Sequence, residues 1–89
     1  DILFEGNTLQ QLENAGDGIS LTNSNNALLR SNSIEIPRCG FKNTTSTGLR
    51  IFSNTVRYKA GAGERGLFCG TPVPVNAAYA TENTAIAIP

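Results

Sequence analysis

Apolar positions in this chain fall in short runs broken by turn-forming residues, and most runs alternate with polar neighbours. Ile2-Leu3-Phe4-Glu5 reads as a first strand that stops at Gly6-Asn7. In Thr8-Leu9-Gln10-Gln11 a Thr is followed three positions on by a Gln, the pattern of a capping box. Leu9 and Leu12 share one helical face, so a short helical turn is expected near residues 8–15. Ile19 and Leu21 alternate with Ser20 and Thr22 before Asn23-Ser24-Asn25-Asn26, the strongest turn signal in the chain. Leu28-Leu29 and then Ile34-Glu35-Ile36 return to extended character, which Pro37 ends or places at a sheet edge.

The second half continues in the same way. Leu49-Arg50-Ile51-Phe52 and Thr55-Val56-Arg57-Tyr58-Lys59 flank Ser53-Asn54 and read as two strands around a tight turn. Leu67-Phe68-Cys69 reads as a short buried strand, and Pro72-Val73-Pro74-Val75 is extended because each proline restricts its predecessor. The tail, Thr84-Ala85-Ile86-Ala87-Ile88, alternates small and branched apolar residues. No long internal repeat stands out. Short strands with frequent turns predict a single all-β domain over residues 1–89, a small β-sandwich or partly open barrel.

Composition supports the β reading, since 10 Asn, 6 Ser and 9 Thr compete with helical hydrogen bonding and suit turns and sheet faces. Gly16-Asp17-Gly18-Ile19-Ser20-Leu21-Thr22-Asn23, with its Asn-rich continuation, resembles segments of parallel β-helices and phage tail fibres in composition, without assigning a family. The chain opens on Asp1 with no basic-then-apolar leader, as a mature or excised domain would. Its apolar runs are too short to span a bilayer, so membrane insertion is not expected.

Seven Lys and Arg balance seven Asp and Glu among 89 residues, which argues against a nucleic-acid binder relying on counterion release. The balance is uneven along the chain. Asp1, Glu5, Glu13 and Asp17 precede any base, and all seven bases lie between Arg30 and Arg65. Such segments either cancel within one fold or attract between copies, and near-zero net charge lowers the repulsion between molecules.

The chemistry available is narrow. With no His, the chain lacks the commonest general base and metal ligand, and no activated nucleophile is recognisable, so no enzyme activity and no cofactor are expected. Gly61-Ala62-Gly63-Glu64-Arg65-Gly66 matches a dinucleotide fingerprint but is followed by a poor helix, so it reads as a loop. Glu13, Asn14 and Asp17 offer oxygen ligands without the density of a calcium loop. Asn43-Thr44-Thr45 is the one glycosylation sequon. Cys39 and Cys69, with no His or CxxC companion, are either a structural disulfide or two buried thiols.

These features lead to a structural subunit of an extracellular, cell-surface or virion assembly, such as a fibre, pilus or capsid decoration. It would associate with copies of itself or with other subunits through strand edges, with Ile86 and Ile88 as the knobs of an assembly strand. The competing expectation is that this tail pairs within its own sheet. The alternative function is a small glycan- or receptor-binding module using Arg50, Arg57, Tyr58 and Lys59, with Tyr79 as a second stacking ring. An inhibitor with a braced loop at residues 43–48 is a third class with no identifiable target.

Overall fold

The computed structural model describes residues 2–10, 16–35, 37–74 and 78–89. Among these residues ten strands follow one another in the order β1 (Leu3–Glu5), β2 (Thr8–Leu9), β3 (Ile19–Thr22), β4 (Leu28–Arg30), β5 (Ser33–Glu35), β6 (Cys39–Thr44), β7 (Arg50–Phe52), β8 (Thr55–Lys59), β9 (Gly66–Thr71) and β10 (Thr84–Ile88). One helical turn, α1 (Ala78–Thr81), precedes the last strand. Every strand pairing is parallel. Three sheets result, with orders β1-β4-β7, β10-β8-β5-β2 and β3-β6-β9.

Each sheet takes one strand from each successive coil of the chain, so the molecule is a β-solenoid of about three turns. The sandwich or barrel expected from the sequence is corrected here. Alternation and frequent turns are shared by both architectures, and what separates them is where each strand finds its partner. Leu49–Phe52 and Thr55–Lys59, expected as a hairpin, belong to different sheets, and Ser53-Asn54 is the corner between them. Thr8 and Leu9, expected to open a helical turn, form β2 on β5; residues 11–15 of that turn lie outside the described residues.

The register also exposes a repeat that inspection of the sequence missed. Leu28, Leu29 and Arg30 sit over Arg50, Ile51 and Phe52, and Ser33, Ile34 and Glu35 over Thr55, Val56 and Arg57. Ile19 to Thr22 lie over Phe41 to Thr44 at the same offset of 22 residues, which recurs in the hydrogen bonds between these rungs. Three corners then read Phe4-Glu5-Gly6-Asn7-Thr8-Leu9, Leu29-Arg30-Ser31-Asn32-Ser33-Ile34 and Ile51-Phe52-Ser53-Asn54-Thr55-Val56. The shared pattern is apolar, any, Gly or Ser, Asn, Ser or Thr, apolar.

Stacking turns this repeat into a core. Phe4, Leu29 and Ile51 form one inward column, and Leu9, Ile34 and Val56 form a second. Ile19, Phe41 and Phe68 form a third. Leu29, Ile34, Phe41, Ile51 and Val56 are fully buried, as a chain this short requires of its few large apolar residues. Backbones pack closely where side chains would not fit. At Gly70, with φ +94°, a Cβ would stand 2.0 Å from the Asn43 carbonyl oxygen.

Cys39 on β6 and Cys69 on β9 are joined as a disulfide, with Cα atoms 6.0 Å apart, and both are buried. The bridge staples the second rung to the third. α1 rests on β7, where its Tyr79 packs against the core and meets the Phe68 ring edge-on, with centroids 6.1 Å apart. Among the described residues no helix is long and apolar enough to cross a membrane.

Candidate interaction surfaces at the ends of the coil

The corner asparagines form a continuous ladder. Asn32 Oδ1 accepts from the Asn7 backbone N–H at 3.1 Å and from Asn7 Nδ2 at 2.9 Å. Asn54 Oδ1 accepts the equivalent pair from Asn32, both at 2.9 Å, and Asn83 Oδ1 accepts both from Asn54 at 3.0 Å. The second Nδ2 hydrogen of Asn32 goes to the Phe4 carbonyl, and that of Asn54 to the Leu29 carbonyl. Asn fits because one amide both donates and accepts, and the rungs repeat about every 4.8 Å, so the same two bonds recur at each level. Asn32 and Asn54 are buried, so the bonds of Asn54 to the Asn32 N–H and the Leu29 carbonyl also satisfy backbone groups away from water.

The ladder has a direction, and its two ends differ. Each asparagine donates to the next rung towards the C-terminus. At that end Asn83 Nδ2 donates to the Ile51 carbonyl and to the Tyr79 carbonyl of α1, which closes the series. At the N-terminal end Asn7 makes its two donations to Asn32, and its own Oδ1 has no protein partner among the described residues.

The edge strands differ as well. In β1 the Ile2 carbonyl and Gly6 N–H bond β4, so the alternate residues Leu3 and Glu5 turn their N–H and C=O groups away from it. Leu3 is 57% exposed and Ile2 39%, while Phe4 and Leu9 are only part-buried beneath them. In β10, Thr84 N–H and the Ile88 carbonyl bond the β8 side, which leaves the backbone groups of Ala85 and Ala87 on the outer edge.

The tail therefore pairs within its own sheet, on β8, along its whole length. Ile86 and Ile88 lie in register with Arg57 and Lys59 on the outer face, and Ala85 and Ala87 with Val56 and Tyr58. Ile86 is 45% exposed. Of the proposed ligand residues, Arg57 and Lys59 share the outer face of β8, whereas Arg50 lies on β7 in another sheet. Tyr58 points the other way and packs against the core, and Tyr79 is part-buried, with burial raising its phenol pKa. The structure does not bring these groups together as one stacking site.

The bases that are exposed are mostly engaged. Arg57 pairs with Glu35 at 3.0 Å, Lys59 Nζ reaches the Pro89 carbonyl at 2.8 Å, and Arg30 pairs with Glu5 while covering the Phe52 ring at 5.8 Å. These pairs link successive rungs, which accounts for part of the segregated charge. The glycine-rich loop is held by its own side chains: Arg65 donates to the Ala62 and Lys59 carbonyls. Glu64 accepts from Gly70 N–H and from Lys42, and the Gly70 bond first and then Lys42 lower its carboxyl pKa.

Asn43 of the sequon faces inward. It is 1% exposed, its Nδ2 donates to the Ser46 and Pro72 carbonyls at 2.9 Å, and its Oδ1 accepts from Ser46 N–H. The folded chain presents no free amide there for a glycan. Glu13 and Asn14 of the candidate calcium group lie outside the described residues, and Asp17 stands on the first rung with Oδ1 buried and without a partner among the described residues. Among the described residues no pocket and no cluster of metal-ligating side chains is present. The ladder asparagines Asn7, Asn32, Asn54 and Asn83 were not singled out from the sequence, although the repeated corner pattern carried them. No family model matches the chain, and neither the curated proteins nor the solved structures contain a match to it.

Proposed function

We propose that this chain is a non-enzymatic structural subunit of an extracellular or virion assembly, and that copies associate through the outer edge of β10. The observation that carries this reading is the open edge itself. β10 is a terminal strand with no charged residue, its outward Ile86 is exposed, and its alternate backbone groups face away from β8. Lys, Pro or a bulge commonly protects such an edge, and none interrupts Thr84 to Ile88. Two copies meeting antiparallel along β10 would extend the β2-β5-β8-β10 sheet across a twofold axis, an isologous contact without opposing charges. The disulfide supports an oxidising compartment.

The test is molar mass by light scattering from 5 to 500 μM, with Ile86→Lys and Ala87→Pro beside the parent. Ala87→Pro removes an N–H on the open edge and Ile86→Lys puts a charge on the exposed outer face, and neither removes a bond to β8. A dimer that forms with concentration and is lost in both variants, with thermal unfolding retained, supports the reading. A parent that stays monomeric throughout refutes it. Glycan binding is the second function considered from the sequence, and the inward Tyr58 and the separation of Arg50 from Arg57 give it no added support.

A further inference from the structure

Two consecutive carbonyls of the second coil, those of Pro37 and Arg38, accept the N–H groups of Lys59 and Gly66 from the third. Residues 60–65 are therefore an insert, looped out where the coil before runs straight on, and inserts in a stacked repeat commonly carry a task that the rungs do not. This one lies against the disulfide. The Glu64 carbonyl oxygen is 3.3 Å from Cys39 Sγ. The Glu64 carboxylate accepts from the N–H of Gly70, the neighbour of Cys69, at 3.2 Å and from Lys42, in register with Cys69, at 3.4 Å. Cys39 and Cys69 are each 1% exposed, yet Ala60 to Glu64 are all exposed, so on this side the bridge lies beneath a cover one residue thick.

The cover is weakly held. It has no large apolar side chain and contributes nothing to the core. Arg65 ties it only to itself and to its stem, at the Ala62 and Lys59 carbonyls. Among the described residues the Glu64 carboxylate is the one side-chain tie from the insert to β6 and β9. A segment with few buried apolar contacts and exposed hydrogen bonds opens without the rest of the fold, and here the inward columns and the asparagine ladder hold the rungs independently of it.

We propose that residues 60–65 are a latch over the Cys39–Cys69 bridge, and that Glu64 governs how readily a dithiol reductant reaches it. Lifting the insert uncovers Cys39 Sγ. A thiolate of the reductant attacks that sulfur, the S–S bond breaks, and Cys69 leaves as a thiolate. The second thiolate of the reductant then attacks its own sulfur in the mixed disulfide, displaces Cys39 and closes the reductant's disulfide. Two electrons pass to the cystine, and the two protons lost by the dithiol are replaced on the cysteines. The second and third rungs are then unstapled while the ladder remains, so the latch makes the bridge releasable within the folded chain. This device is independent of the β10 edge.

The test is the rate at which dithiothreitol reduces the oxidised protein at pH 8, followed by alkylation of the freed thiols and mass spectrometry. Below the unfolding midpoint the rate should depend only weakly on urea, because opening the insert exposes little surface. Glu64→Ala should speed reduction at least about fivefold while the urea midpoint of the oxidised protein stays close to that of the parent. Glu35→Ala, which removes an exposed pair with Arg57 in another sheet, should reduce at the parent rate. A parent rate that climbs with urea as steeply as global unfolding does, or a Glu64→Ala protein that is reduced no faster than the parent, overturns the proposal. The urea dependence is read on the parent chain, so it decides the question whatever the variant does to folding.

Discussion

Replacing Asn54 by alanine probes the fold at its most connected polar residue. Asn54 Oδ1 accepts from Asn32 N–H and Nδ2, and its own Nδ2 donates to the Leu29 carbonyl and to Asn83 Oδ1. Truncation removes these four side-chain bonds at roughly 1 kcal/mol each, and leaves the Asn32 N–H buried with nothing to replace the lost partner. A loss of about 3 to 5 kcal/mol is expected, a large share of the roughly 4 to 13 kcal/mol typical for this length. The transition temperature should fall by at least about 12 °C. Asn25→Ala is the matched control, because Asn25 Oδ1 also accepts two bonds, from Thr47 N–H and hydroxyl, but at an exposed corner where water substitutes. Urea unfolding of the oxidised proteins at pH 7, followed by circular dichroism, reads both. If Asn54→Ala falls within about 1 kcal/mol of Asn25→Ala with an unchanged m value, the ladder is not what holds the rungs together.

Further outcomes follow from single contacts. Reducing the Cys39–Cys69 bridge, which closes a loop of 30 residues, should cost about 3 to 4 kcal/mol by its chain-entropy contribution, measured as the change in urea midpoint with reductant. Gly70→Ala places a Cβ against the Asn43 carbonyl at a positive φ and should cost at least about 2 kcal/mol in the same assay; an unchanged midpoint contradicts the packing described. Glu64 has a folded pKa below its ordinary 4.5, so its stabilisation is present above that value and is lost as pH falls through the lowered one. Glu64→Gln should flatten that part of the acid limb, and an identical pH profile would remove Glu64 from it. Folded protein secreted from a glycosylating host should carry no glycan at Asn43, and a mass shift on endoglycosidase treatment would contradict its inward placement.

The chain's pattern was sufficient to place most strands near their observed positions. Alternation at Ile19–Thr22, Ile34–Glu35, Thr55–Lys59 and Thr84–Ile88 is a local property, fixed by which side chains each residue presents to either face. The facing of Ile86 and Ile88 against Ala85 and Ala87 was legible for the same reason.

Pairing was not legible, because no local signal says whether a strand bonds its neighbour in sequence or one a full coil away. Ser53-Asn54 is compatible with a hairpin turn, and it became a solenoid corner because Asn54 is matched by Asn32 on the preceding rung and Asn83 on the following one. The repeat that would have given this away varies at most positions: Arg30 stacks against Phe52 and Asn43 against Gly70, so only the corner asparagines and their small neighbours persist. Sequence alone thus determined a β-rich domain with two cysteines, an uncharged tail and no evident catalytic set. Tertiary structure decided that the strands coil in parallel, that the sequon asparagine is a core residue, and that the two ends differ. The reason is that a hydrogen-bond ladder acquires its partners and its direction only when distant rungs are stacked.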